Sequence, residues 1–200
     1  LGRVEEARRH LSLSGSVGVR TADPVLDGLE ELLRGERVHL VRGRLAYAAG
    51  RYADAAAEFG AAVEADPRSV RALVNLGATL VELGDTEGAI GRLREAVALA
   101  PQNGTARYNL GTLLATRGAH VEAVEHLKAA AELDPRDGQA RLALARSLEA
   151  EGEANEALRH LSRAMELDPR NEEPVLDATR LLVGLGRYAE ALAVVEAAHG

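Results

Sequence analysis

Proline stands at Pro67, Pro101, Pro135 and Pro169, and each step between them is 34 residues. Glycine keeps the same beat at Gly50, Gly84, Gly118, Gly152 and Gly186. Two alanine series follow it: Ala55, Ala89, Ala123, Ala157 and Ala191, then Ala62, Ala96, Ala130, Ala164 and Ala198. A single closed core imposes no such period. A fixed period of about 20–50 residues marks units that each leave an apolar face for the next unit to cover. The 200 residues therefore read as one elongated stacked array.

Aromatics make up only 2% of the chain, with no Trp and a single Phe, Phe59. An interior of Ala, Leu and Val suits closely spaced helices better than a sandwich or barrel, so the fold class is all-α. The unit 104–137 shows the local logic. Asn103 is an N-cap, and a helix is predicted over 105–117 with Leu110, Leu113 and Leu114 at helical spacing. Gly118 supplies the left-handed stop. A second helix is predicted over 120–133, with Val121, Val124 and Leu127 turned inward. Asp134-Pro135 ends it, because the residue before proline disfavours the helical region. The same capping position holds Ser69, Asn103, Asp137 and Asn171. Midway along each first helix stands a small residue (Gly43, Gly77, Gly111, Ala145), with Ala55, Ala89, Ala123 and Ala157 twelve positions later. Small residues on both sides are expected to let the two antiparallel helices approach closely, where bulk would overpack the contact.

Leu76-Gly77, Leu110-Gly111, the Ala-x3-Phe/Leu runs (Ala55 to Phe59, Ala89 to Leu93, Ala123 to Leu127, Ala157 to Leu161) and the closing prolines resemble the tetratricopeptide repeat. The resemblance covers 36–200 and implies a right-handed superhelical solenoid of helix hairpins, with units 36–69, 70–103, 104–137, 138–171 and 172–200. Two departures stand out. The early aromatic of the family is replaced by His39, Leu73, Arg107, Arg141 and Val175, and the fifth unit has Thr179 in place of glycine, which predicts a looser hairpin there.

The start of the chain matches 186–191 in phase, so 1–13 reads as the second helix of an upstream unit. Residues 14–35 read as a loop plus an extra amphipathic helix. Both ends look interior to a longer array, with an apolar face at the C-terminal end open to self-association into a homo-oligomer. Without cysteine there is no disulfide or thiolate metal site, and no apolar run reaches the roughly 18 residues of a membrane helix. Nothing chooses a compartment; the cytoplasm is the default, and the missing initial Met leaves room for an upstream targeting segment. Heavy Ala, Gly and Arg usage with Lys128 as the sole lysine points to a GC-rich bacterial genome.

The resemblance further implies a concave groove lined by the first helices, at positions two, five, six, nine, twelve and thirteen of each unit. Carried onto this chain, the candidate binding residues are Arg37, Leu40, Arg44 and Tyr47, then Arg71, Val74 and Asn75, then Tyr108, Asn109 and Thr112, and finally Arg146 and Arg180. With Glu82, Glu149, Glu173 and Asp177 at the remaining charged positions, the groove sums to +1 on a chain of net charge −7. Its N-terminal half is the more cationic, beside Tyr47, Leu40 and Val74. A protein or peptide partner with an acidic side chain or C-terminal carboxylate and an apolar neighbour fits it, because Arg presents a planar fork of donors. Asn75 and Asn109 repeat in register, like two rungs of a ladder that holds a peptide backbone. The Lys and Asn of the chaperone-tail clamp, at positions five and nine of one unit, are absent. The acidic balance argues against nucleic acid, including an RNA-reading helical array.

No constellation for catalysis is found, and no cofactor or metal is expected. Gly184-Leu185-Gly186-x-x-Ala189 mimics a dinucleotide fingerprint but joins two helices instead of a strand and a helix. Glu122 and His126 share a helix face and could hold a metal only at its edge. The function expected is a non-enzymatic interaction scaffold, with a structural self-assembly module and the regulatory arm of a larger protein as alternatives.

Overall fold

A computed structural model of the chain describes residues 35–199. The segments expected over 1–13 and 14–35 lie outside them, Gly35 excepted. Among the described residues there are ten helices and no strand. They pair as five hairpins: α1 (Glu36–Ala48) with α2 (Tyr52–Ala65), α3 (Val70–Glu82) with α4 (Thr86–Leu99), α5 (Gly104–Thr116) with α6 (His120–Leu133), α7 (Gly138–Ala150) with α8 (Ala154–Leu167), and α9 (Glu173–Gly184) with α10 (Tyr188–His199). Each helix packs on its predecessor, and the first helices also meet directly, α1 with α3, α3 with α5 and α5 with α7. That second set of contacts joins the first helices into one continuous face.

The caps explain where the first helices begin. Ser69 accepts from the Ala72 amide at 3.2 Å, Asn103 from Ala106 at 2.9 Å, and Asp137 from both Gln139 and Ala140. Asn171 instead accepts from Glu173 at 3.0 Å. Three residues after it comes Pro174, which has no N–H to give, so the cap falls back by one position. The first helices also end alike. At Gly118, φ is 78°; its amide donates to Ala115 O and the Ala119 amide to Leu114 O, both at 2.9 Å. This pair of bonds satisfies carbonyls that the helix end would orphan, and it recurs at the other four glycines of the series.

The close approach within a hairpin differs in detail from expectation. A Cβ built on Gly77 would lie 2.8 Å from Leu93 Cγ, and one on Gly111 would lie 2.6 Å from Leu127 Cγ. On Gly43 it would meet the Phe59 ring at 2.6 Å. The large side chain sixteen residues on fills the space the glycine leaves, while Ala89 and Ala123 contribute carbonyl oxygens at 3.5 and 3.2 Å. Phe59, Leu93, Leu127 and Leu161 are accordingly buried. In the fifth hairpin Thr179 holds the glycine position, and Val195 stands in register with those four residues but is 36% exposed. The Thr179 hydroxyl is buried without a hydrogen bond among the described residues. Val121 also corrects its expectation. It is exposed, because six residues at 100° each put it a third of a turn off the stripe of Leu127.

Candidate functional site

Among the described residues, the continuous face of first helices carries three clefts. The largest, about 540 Å³, lies between α1 and α3 and is lined by Val41, Arg44, Leu45, Tyr47, Ala48, Phe59, Asn75 and Ala78. A second, about 310 Å³, runs from α1 across α3 to the start of α5 and is lined by Arg44, Arg71, Val74, Asn75, Asn103 and Thr105. The first is largely apolar and the second polar and cationic; Arg44 and Asn75 belong to both. A third, about 340 Å³, sits between α5, α6 and α7, among Tyr108, Thr112, Ala115, Thr116, His120, Gln139, Leu142, Ala143, Arg146 and Ser147.

The structure thus gathers Arg44, Tyr47, Arg71, Val74 and Asn75 around the first two clefts, and Tyr108, Thr112 and Arg146 around the third. Arg37, Asn109 and Arg180 line none of the three. Leu40 is a correction: it is 2% exposed and packs in the core with Ala55 and Phe59. It sits three residues before Gly43, on the stripe that faces α2, and so cannot meet a ligand.

The charges divide as sharply as the clefts. Arg146 bonds to Asp177 at 2.6 Å and to Glu173 at 2.9 Å, and Arg180 reaches Glu149 at 3.0 Å and Asp177 at 3.3 Å. Burial alone would lower the Arg146 pKa, but the bonds to Asp177 and Glu173 outweigh it and raise it above its ordinary value. Among the described residues no carboxylate lies within ion-pair distance of Arg37, Arg44 or Arg71. Tyr47 donates its hydroxyl to Glu82 at 3.3 Å and meets the Tyr52 ring edge-on at 5.2 Å. Burial first, then the Glu82 carboxylate, raises the Tyr47 pKa and keeps it a donor. The half-buried side-chain amides of Asn75 and Asn109 make no hydrogen bond among the described residues, and of the two only Asn75 lines a cleft.

Leu45 and His120 were missed by sequence reasoning. Leu45 is 64% exposed, whereas its counterparts Thr79, Leu113, Ser147 and Leu181 are buried against the preceding hairpin. Residue type gave no signal for it, since Leu113 and Leu181 at the same repeat position are buried. Away from the clefts, Glu122 and His126 are 3.9 Å apart, and among the described residues no group of three or more His, Asp or Glu could hold a metal. No helix among them is long and apolar enough to cross a membrane.

Profiles described as tetratricopeptide repeat match residues 40–91, 76–138, 122–172 and 148–198. The chain belongs to the tetratricopeptide repeat family. Its hairpins are tetratricopeptide units in a right-handed superhelical solenoid, as three solved structures corroborate. MamA superposes with a TM-score of 0.76 at 22% identity, covering 82% of this chain and 89% of that one. MamA from Desulfovibrio magneticus RS-1, residue 41 to its end, gives 0.76 at 17% identity, covering 82% and 93%. The tetratricopeptide protein YrrB gives 0.75 at 24% identity, covering 89% and 92%. These likenesses show the fold. No curated protein matches the chain. In tetratricopeptide terms, all three clefts are built mainly on the first helices of the units.

Proposed function

We propose that this tetratricopeptide array is a protein-interaction scaffold that holds a partner segment along its concave face. An apolar side chain of the segment enters the cleft around Val41 and Leu45, and a carboxylate lies against Arg44 and Arg71. The observation that carries this reading is the pair of adjoining clefts sharing Arg44 and Asn75, with Arg44 and Arg71 free of any ion pair among the described residues while Arg146 and Arg180 are already bound to carboxylates. Two guanidiniums without a carboxylate partner among the described residues, on a chain of net charge −7, give an acidic group a local reason to bind where the surroundings repel it. YrrB, similar in fold, carries an unusual peptide-binding site, which supports peptide capture on this fold. The family is a scaffold family, and no catalytic step is part of the reading. An affinity near micromolar, roughly −8 kcal/mol, is expected of such a groove.

The test is selection of binders from a random peptide library followed by Arg44→Glu with Arg71→Glu. The double variant should lose the selected peptides while keeping its circular dichroism and its oligomeric state. Undiminished capture overturns the carboxylate seat. A second reading, self-association, draws on the exposed Leu45 at one end of the described array and Tyr188 and Leu192 at the other. Light scattering that shows only monomer across a wide concentration range removes it.

A further inference from the structure

We infer that the cleft between α5, α6 and α7 is a second subsite, which takes a side-chain carboxamide (Asn or Gln) of the same bound segment through His120 and Tyr108. The inference rests on the concave-face reading above and adds a chemistry that the cationic clefts do not supply.

The first ground is an orphaned atom. His120 Nδ1 is buried with no hydrogen-bond partner, and His120 lines the cleft. The other such atom among the described residues, Thr179 Oγ1, lines none of the three clefts. A buried polar atom left unsatisfied is costly, and a turn of the ring that brings Nδ1 to a ligand in the cleft recovers that cost on binding. The histidine is also out of pattern. The corresponding residues of the other units are Tyr52, Thr86, Ala154 and Tyr188, so the repeat does not require an imidazole there.

The second ground is which donors and acceptors remain. Thr112, Thr116 and Ser147 donate their hydroxyls to the carbonyls of Tyr108, Thr112 and Ala143 on their own helices. That leaves the Tyr108 hydroxyl, the His120 ring and the Gln139 side chain, none of which has a side-chain hydrogen bond among the described residues. A neutral imidazole offers one donor and one acceptor, and a phenol offers both. A carboxamide answers this set, since it too carries donors and an acceptor on one planar group.

The third ground is charge. Arg146, the one ionic residue at this cleft, is held by Asp177 and Glu173 at 2.6 and 2.9 Å. An incoming carboxylate would face those two acids, and an incoming ammonium would face the guanidinium. A neutral group meets neither penalty. The apolar cleft lies two first-helix spacings away, roughly 16–20 Å. An extended segment at ~3.3 Å per residue spans that distance in five or six residues.

The experiment selects binders from a phage-displayed library of random 12-residue peptides on the wild-type chain, on His120→Leu and on Arg44→Glu/Arg71→Glu. Wild type should enrich an apolar–acidic pair with Asn or Gln five or six positions away. Replacing that amide with Met in one selected peptide should weaken binding about tenfold on wild type and hardly at all on His120→Leu. His120→Leu removes an orphaned atom, so its melting temperature should not fall, and Tyr108→Phe gives an independent variant with the same expected loss. An acidic preference without an amide preference overturns the subsite and leaves the first reading standing. Equal losses on wild type and His120→Leu do the same. No enrichment at all overturns both.

Discussion

Arg146 Nε lies 2.6 Å from Asp177 Oδ2, a bond between neighbouring hairpins that removes this guanidinium from the cations a ligand can use. Arg71, on the same face of first helices, has no such partner among the described residues. Formal charge counts both arginines alike; the structure separates them.

Arg71→Gln should therefore weaken an acidic peptide about tenfold, near 1.4 kcal/mol, whereas Arg180→Gln should change it less than about twofold. Calorimetric titration reads both. Raising salt from about 0.05 to about 0.5 M should weaken wild type more than Arg71→Gln, because the variant has less charge to screen. A larger loss for Arg180→Gln would move the anion seat to the C-terminal units.

Glycines in the same array should respond oppositely to added bulk. Gly77 faces Leu93 so closely that Gly77→Val should destabilise the chain by about 2 kcal/mol through overpacking. Gly91, inside α4, has nothing within 4 Å of an added Cβ. Gly91→Ala should stabilise it by up to about 1 kcal/mol, the helix-propensity difference. Urea unfolding of the two variants checks both signs.

The fold was legible because each unit repeats the same punctuation, and Ser69, Asn103 and Asp137 cap as their residue types direct. The small residues at Gly77 and Gly111 were also legible, but not what they face. Spacing in a sequence suggests the nearest small partner, whereas side chains on a helix lean toward its N-terminus and bring Leu93 and Leu127 into the gap. The candidate site was legible only in outline. Leu40 and Leu45 are both leucines of α1, and only tertiary contact tells the buried one from the exposed one. Ion pairs that span hairpins, such as Arg146 with Asp177, depend on rotamers that no one-dimensional pattern fixes.

Thr179 offers a stability gain. Its hydroxyl is buried without a partner among the described residues, at the position where other hairpins carry Gly or Ala. Thr179→Val keeps the shape and removes the unsatisfied group, so it should stabilise the fifth hairpin by about 1 kcal/mol. Hydrogen exchange of α9 and α10 amides reads that local change. Faster exchange in the variant would show that the hydroxyl has a partner in solution.

Two histidines should make stability depend on pH. His126 and His160 both have pKa values lowered from the ordinary histidine range, first by burial and then by a facing arginine, Arg107 and Arg141 respectively. Arg107 Nη1 lies 3.5 Å from His126 Nδ1, so protonating that ring sets two cations against each other. Glu122 and Glu125 oppose the shift at His126 and Glu156 opposes it at His160, while Arg94, Arg159 and Lys128 add to it. The folded chain thus holds these rings neutral more strongly than the unfolded chain does. Above the unfolded value of about 6.5 both states are neutral there and no stability is lost. As pH falls below it, the unfolded state takes up protons first, and stability declines until pH has passed the lowered folded values. The urea midpoint should therefore drop between about pH 7.5 and pH 5, before most carboxylates titrate. The double variant His126→Gln/His160→Gln should show a flatter profile over the same window. A profile as steep as wild type would place the pH dependence on other groups.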